Sequence, residues 1–134
     1  MWLFTTVGFF SVVRKPVAPG APAGMLVVRA RVPGDLEALR EKYMPELQGT
    51  FYTPDGDYKY RAAITHTDFA AGLAKIALDI DYDNFKTEVS IRQGYDRAHV
   101  YMGVWKAAFE LERMRSNKGP IMGAILYDYK ADAE

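Results

Sequence analysis

Along the first third of the chain, apolar and polar positions follow the two-residue period of a β-strand. Residues 2–5 and 9–15 are rich in aromatic and β-branched types, and Val7-Gly8 between them supplies a tight connection, so the pattern predicts a hairpin. Residues 25–32 predict a third strand, with Leu26, Val28, Ala30 and Val32 on one face and Met25, Val27, Arg29 and Arg31 on the other. Residues 16–24 hold three prolines and two glycines in nine positions, which neither a ladder nor a helix accepts. This Pro/Gly/Ala stretch is expected to be a loop that merely extends a hairpin.

From residue 33 the period changes. Pro33-Gly34 stops the third strand, and Asp35 opens a helix whose acidic first turn suits the helix dipole. Leu36, Leu39 and Tyr43 share one stripe of it, and Pro45 closes it. Thr50–Thr53 and Tyr58–Ile64 predict a second hairpin around Pro54-Asp55-Gly56-Asp57, where proline and glycine dihedrals favour a turn. Three helices follow. The first spans about 68–80, capped by Thr67, with Phe69, Leu73, Ile76, Ala77 and Ile80 on its apolar stripe. The second spans about 84–93, capped by Asp81 or Asp83 and stopped by Gly94. The third spans about 97–115, capped by Asp96, with Tyr101, Val104, Trp105, Ala108 and Leu111 as its buried face. Ile121–Lys130 reads as a last strand and 131–134 as a frayed tail. The order predicts a single α+β domain over residues 1–130: an antiparallel sheet of hairpins with three to four helices packed on one face.

Composition narrows the function. The 134 residues carry 17 Lys+Arg against 17 Asp+Glu and no cysteine. One domain of this size buries a real core. Zero formal charge argues against a strongly basic nucleic-acid binder, and the missing thiols remove disulfides, cysteine nucleophiles and Cys-ligated metal sites. The apolar opening lacks the leading positive charge of a secretory signal, since Arg14-Lys15 follow the apolar run. No stretch approaches the ~20 apolar residues that span a bilayer. A cytoplasmic location, with no membrane partner, is therefore expected.

Candidate chemistry is sparse. Asp79-Ile80-Asp81-Tyr82-Asp83-Asn84 begins like a calcium loop, but Asn84 stands where glycine is needed and Ser90 where a bidentate glutamate is needed. The segment reads better as a junction whose carboxylates cap the next helix. His66 and His99 are the only imidazoles, without metal-ligand spacing; His99 with Asp81 or Asp83 is the one enzymatic pairing to weigh. Ser11, Ser90 and Ser116 lack a nucleophile context, and residues 19–24 match neither phosphate-loop pattern. These readings predict no enzyme, no metal and no cofactor. Two surfaces remain. Arg14, Lys15, Arg29 and Arg31 lie on strands and, with Phe9, Tyr58 and Tyr60, suit a single-stranded nucleic acid; alternatively they are solvated cations that discourage edge pairing. Tyr95, Tyr101, Tyr127 and Tyr129 suit a protein partner or a homodimer, because tyrosine buries a ring and keeps a wet hydroxyl.

Three blocks resemble a family of small proteins from actinobacteria and their phages. They are Met1-Trp2-Leu3-Phe4-Thr5-Thr6-Val7-Gly8-Phe9-Phe10-Ser11; Val28-Arg29-Ala30-Arg31; and Asp81-Tyr82-Asp83-Asn84-Phe85-Lys86 with Arg92-Gln93-Gly94 and Arg97-Ala98-His99-Val100-Tyr101. With the helices the resemblance covers about residues 1–112, and the tail after Arg115 departs from it. It carries no assigned activity, so no catalytic residue transfers, and it implies a bacterial or phage setting. The leading expectation is a non-enzymatic protein-interaction module, in its sharper form a phage-encoded modulator of a host protein. The alternative is weak binding of RNA or single-stranded DNA by the cationic, aromatic sheet face.

Overall fold

Five strands and five helices occupy residues 1–114, the part of the chain that the computed structural model describes. The strands are β1 (Trp2–Phe4), β2 (Phe9–Arg14), β3 (Leu26–Ala30), β4 (Phe51–Tyr52) and β5 (Tyr60–Ile64). They form one antiparallel sheet in the order β1-β2-β3-β5-β4. The helices are α1 (Pro33–Lys42), α2 (His66–Leu78), α3 (Phe85–Gln93), α4 (Tyr95–Ala108) and the single-turn α5 (Glu110–Arg113). The fold is α+β, as the succession of periods predicts. The expected strand 121–130, with Tyr127 and Tyr129, and the tail 131–134 lie outside the described residues. The chain divides into two compact units, one ending at Ala98 and the other beginning at His99, so each is described by itself.

In the first unit the core lies on one face of the sheet. Phe10, Val12, Val28, Ala30, Ala62 and Ile64 alternate inward from β2, β3 and β5 and pack with Leu36, Leu39, Tyr43, Met44 and Phe69. The stripe read for α1 is thus buried in full. The helix begins two positions earlier than its composition suggests. Pro33 takes the first helical position, where its missing N–H costs nothing. Asp35 therefore sits inside the first turn rather than at the cap, and its side chain turns away from its own helix. Its Oδ2 accepts the backbone N–H of Phe9 at 3.0 Å, and Arg97 binds it with two N–H···O bonds, 2.7 Å to Oδ2 and 2.9 Å to Oδ1. Asp35 is 5% exposed. Gly8 makes this approach feasible: a Cβ there would stand 2.6 Å from the Asp35 Cβ and Cγ.

Several boundaries differ from the pattern for local reasons. The β1–β2 connection is held by Thr5, whose hydroxyl accepts the N–H groups of Val7 and Gly8 at 3.1 Å and donates to the Gly8 carbonyl at 3.0 Å. Thr65, not Thr67, caps α2 by accepting the Asp68 N–H. Asn84, not Asp81 or Asp83, caps α3 through the Thr87 N–H. Gly94, at φ 93°, ends α3 in a backbone region that side chains disfavour. The 16–24 loop is more than a hairpin extension. Its Val17 is buried against Val27 and Ala63, with Ala18 and Ala21 beside them, so it covers one end of the second sheet face.

In the second unit the predicted stripe of the longest helix is not a core. Tyr101 is 5% exposed, but Val104, Trp105 and Leu111 are open to solvent. The helix also breaks at Phe109, where the one-turn α5 begins. Helical spacing places side chains on a common face without supplying a layer to cover it. Trp105 and Phe109 contact each other edge to face, with ring centres 4.7 Å apart.

The junction after α2 has a structural task. Asp79 is the C-cap residue of α2, and its Oδ2 accepts the Tyr43 hydroxyl at 2.8 Å. Burial, then the bond to Asp79, pushes the Tyr43 phenol up to about 12 from its ordinary 10, against the opposing charge of Arg92.

Two outcomes follow from these buried contacts. In urea unfolding, Asp35→Ala and Arg97→Ala each lose about 2–4 kcal/mol, and the double variant loses less than the sum by about 1 kcal/mol or more, because the first substitution already breaks the pair. For Tyr43 the raised folded pKa stabilises the protein fully below pH 10, and that contribution disappears as pH rises from 10 to about 12. Over that window wild type should lose roughly 2–3 kcal/mol more than Tyr43→Phe in urea midpoints measured across the pH series.

Candidate functional site

The second face of the sheet carries an unusual row. Strand alternation places Arg29 opposite the core residues Val28 and Ala30, and β2 and β5 present Ser11 and Arg61 on the same side. Pairing then aligns Trp2, Ser11, Arg29, Arg61 and Phe51 as direct cross-strand neighbours over all five strands. Like charges directly opposite each other destabilise a ladder, yet Arg29 and Arg61 are such a pair. The Arg61 side chain is 14% exposed, so water screens it poorly.

Few groups offset this charge. Asp57, largely exposed, approaches Arg61 at 3.9 Å. Arg61 also donates from Nε to the Tyr58 carbonyl at 3.1 Å, and Arg31 donates from Nη1 to the Asp57 carbonyl at 3.0 Å. The Tyr58 ring lies under both guanidinium groups, 4.8 Å from that of Arg29 and 4.6 Å from that of Arg31, where its π face attracts a cation. Arg29 donates from Nη2 to the Ser11 hydroxyl at 2.6 Å, while its buried Nε has no hydrogen-bond partner among the described residues. Lys15 belongs to the same cluster: burial first, then the charges of Arg61 and Arg29, lowers its ammonium pKa, with Asp57 opposing. Among the described residues, four cations thus face one nearby carboxylate.

Aromatic rings border the cations. Phe4 stacks on Phe9 with centres 4.4 Å apart, Trp2 meets Phe9 edge-on at 6.2 Å, and Phe9 lies 6.2 Å from Tyr58. Trp2 is 68% exposed. Along the strands the face thus grades from an apolar patch under the 16–24 loop, through the arginine row, to a ring cluster.

Of the residues singled out in the sequence, Lys15, Arg29 and Arg31 come together with Phe9 and Tyr58. Arg14 pairs with Leu26 and therefore lies on the helix-covered side, at its exposed margin. Tyr60 pairs with Ala30 and packs against the core. Arg61, Trp2 and Phe4 complete the site although the cation pattern did not include them. The signal for Arg61 was its alternation with Ala62, but only pairing with β3 sets it beside Arg29. The tyrosine set does not assemble in the same way. Tyr95 is exposed, Tyr101 is buried, and Tyr127 and Tyr129 lie outside the described residues.

Other chemistry is thin. Both histidines are exposed, and among the described residues no group of three His, Asp or Glu side chains stands where it would hold a metal ion. Among those residues, no helix is long and apolar enough to cross a membrane. Compared with protein-family models, with the curated proteins and with the solved structures, the chain matches none.

Proposed function

We propose that this protein is a non-enzymatic binding module that takes single-stranded RNA or DNA on the open face of its sheet. The observation that carries this reading is the Arg29–Arg61 pair, set side by side with Lys15 and Arg31 and bordered by the Phe4–Phe9 stack. A phosphate between these cations relieves their mutual repulsion, and the exposed Trp2 ring with the half-buried Phe4 and Phe9 offers stacking surfaces that accept any base. Zero net charge limits long-range attraction, so the binding is weak and confined to this face. A setting in the cytoplasm of a bacterium or a phage host accompanies the reading, on the strength of the resemblance in the three sequence blocks.

The test is anisotropy of a labelled single-stranded oligonucleotide against a salt series. Two or three phosphate contacts give a log K against log salt slope of about −1.5 to −2, using ~0.7 per contact for single strands. Arg29→Gln with Arg61→Gln should flatten the slope, and Phe9→Ala should weaken binding with little change in slope. Absence of binding at low salt, or a slope indifferent to the arginines, overturns the proposal.

One observation supports a second reading, a protein-interaction module. Val100, Val104, Trp105, Phe109, Leu111 and Met114 are all solvent-exposed on α4, α5 and their flanks, with the Trp105 and Phe109 rings in contact, and apolar side chains concentrated in this way suit a protein partner. Trp105→Glu with Leu111→Glu should then release self-association or a host partner in sedimentation and pull-down measurements, leaving oligonucleotide binding intact. A wild-type monomer that retains no partner at stoichiometric level counts against this reading.

A further inference from the structure

A cavity of about 270 Å³ opens on the other side of the first unit, between the β1–β2 turn and the C-terminal half of α2. Its walls include Leu3, Phe4, Leu73, Ile76, Ile80 and Tyr82. The volume falls just below the ~300–1,000 Å³ of common ligand pockets, which limits an occupant to one ring or a short branched chain. Besides the Tyr82 hydroxyl, its polar groups come from four residues. Tyr43 and Asp79 line the cavity together with Thr5 and Thr6.

The Tyr43 phenol donates to Asp79 Oδ2 at 2.8 Å. Tyr43 is 3% exposed, so packing fixes the direction of its hydroxyl and hence the orientation of the carboxylate. A carboxylate has room for about four hydrogen bonds, and Tyr43 supplies the one that Asp79 accepts among the described residues. Asp79 also stands at the C-terminus of α2, the negative end of the helix dipole, where a carboxylate is disfavoured and a cation is favoured. Arg92, whose charge reaches the Tyr43 phenol, is engaged by Glu88 at 2.6 Å and by Asp81 at 4.0 Å. The cavity therefore combines apolar walls with the Asp79 carboxylate at its solvent-exposed rim.

We propose that this cavity binds a small monocyclic ammonium compound, its ring against the apolar walls and its N–H groups on the Asp79 carboxylate. An ammonium gains charge-assisted hydrogen bonds there and a favourable position at the helix end, with the Tyr82 ring available to a cation. A neutral alcohol of the same shape donates one hydrogen bond but brings no positive charge to the carboxylate and the helix end. An anion meets Asp79 and the carbonyl end of α2, both repulsive. Phe4 borders both this cavity and the ring cluster of the sheet face, whereas Leu73, Ile76 and Asp79 belong to the cavity and report on it apart from nucleic-acid binding.

The experiment titrates full-length protein, labelled at Ile and Leu methyl groups, with three probes of matched shape: phenethylammonium, 2-phenylethanol and phenylacetate. The expected result is saturable shifts at Leu3, Leu73, Ile76 and Ile80, with phenethylammonium binding about tenfold tighter than the alcohol and phenylacetate weakest. Asp79→Asn should erase the preference for the ammonium while leaving the alcohol unchanged. Should that variant fail to fold, Ala77→Phe, a replacement on the exposed side of α2 that fills the cavity from its rim, should abolish shifts from all three probes. Equal binding of ammonium and alcohol overturns the proposal. So does binding that shifts methyl groups elsewhere, or no shift at millimolar probe.

Discussion

Three separate segments of the chain meet at the Asp35 carboxylate. It lies in the first turn of α1, accepts the Phe9 N–H at the start of β2, and is held from two sides by Arg97 in the first turn of α4. A buried carboxylate without partners is among the most costly groups a fold can contain, so these partners must all be present at once. That requirement reaches back into the sequence. Gly8 stands where it does because a Cβ would collide with Asp35. The Thr5 hydroxyl then holds the turn that brings Gly8 and Phe9 into place. The hairpin, α1 and the start of α4 are thereby set relative to one another by polar contacts, and the hydrophobic core fills the space that they define.

The two faces of the sheet follow from that arrangement. With α1 and α2 on one side, Phe10, Val12, Val28, Ala30, Ala62 and Ile64 turn apolar side chains into the core, while Arg14 ends that row at its exposed margin. The opposite face is freed from core duty, and it holds Ser11, Arg29, Arg61 and the rings of Phe4 and Phe9. The 16–24 loop covers only the end at Val27 and Ala63. Its prolines deprive it of ladder hydrogen bonds, so small apolar side chains are what keep it in place. The same division places the Asp79 cavity on the helix side and the cation cluster on the open side, so that opposite charges serve opposite surfaces. This separation explains how a chain with 17 cations and 17 anions acquires strongly polar regions without net charge.

Much of this was legible in periodicity. The alternation in 25–32 identified both faces of β3, and the Leu36–Leu39–Tyr43 stripe identified the buried side of α1. Helix starts were legible only to within about two residues, because Thr65 and Thr67, or Asp83 and Asn84, are chemically equivalent caps until the backbone chooses one. The stripe on α4 misled for another reason: periodicity reports which side chains share a face and carries no information about a covering layer. Asp35 was seen as a helix-dipole residue, since its partners lie 26 and 62 positions away.

The candidate site divides in the same way. By itself the sequence determined the α+β class, the strand faces, the absence of cysteine chemistry, and that Lys15, Arg29 and Arg31 lie on strands. Only the tertiary structure decided that Arg61 stands beside Arg29, that Arg14 belongs to the other face, and that Tyr43 and Asp79 share a cavity. The physical reason is range. Local propensity and side-chain period act over a few residues, whereas strand register and ion pairing are settled by whichever distant segments satisfy one another's buried groups.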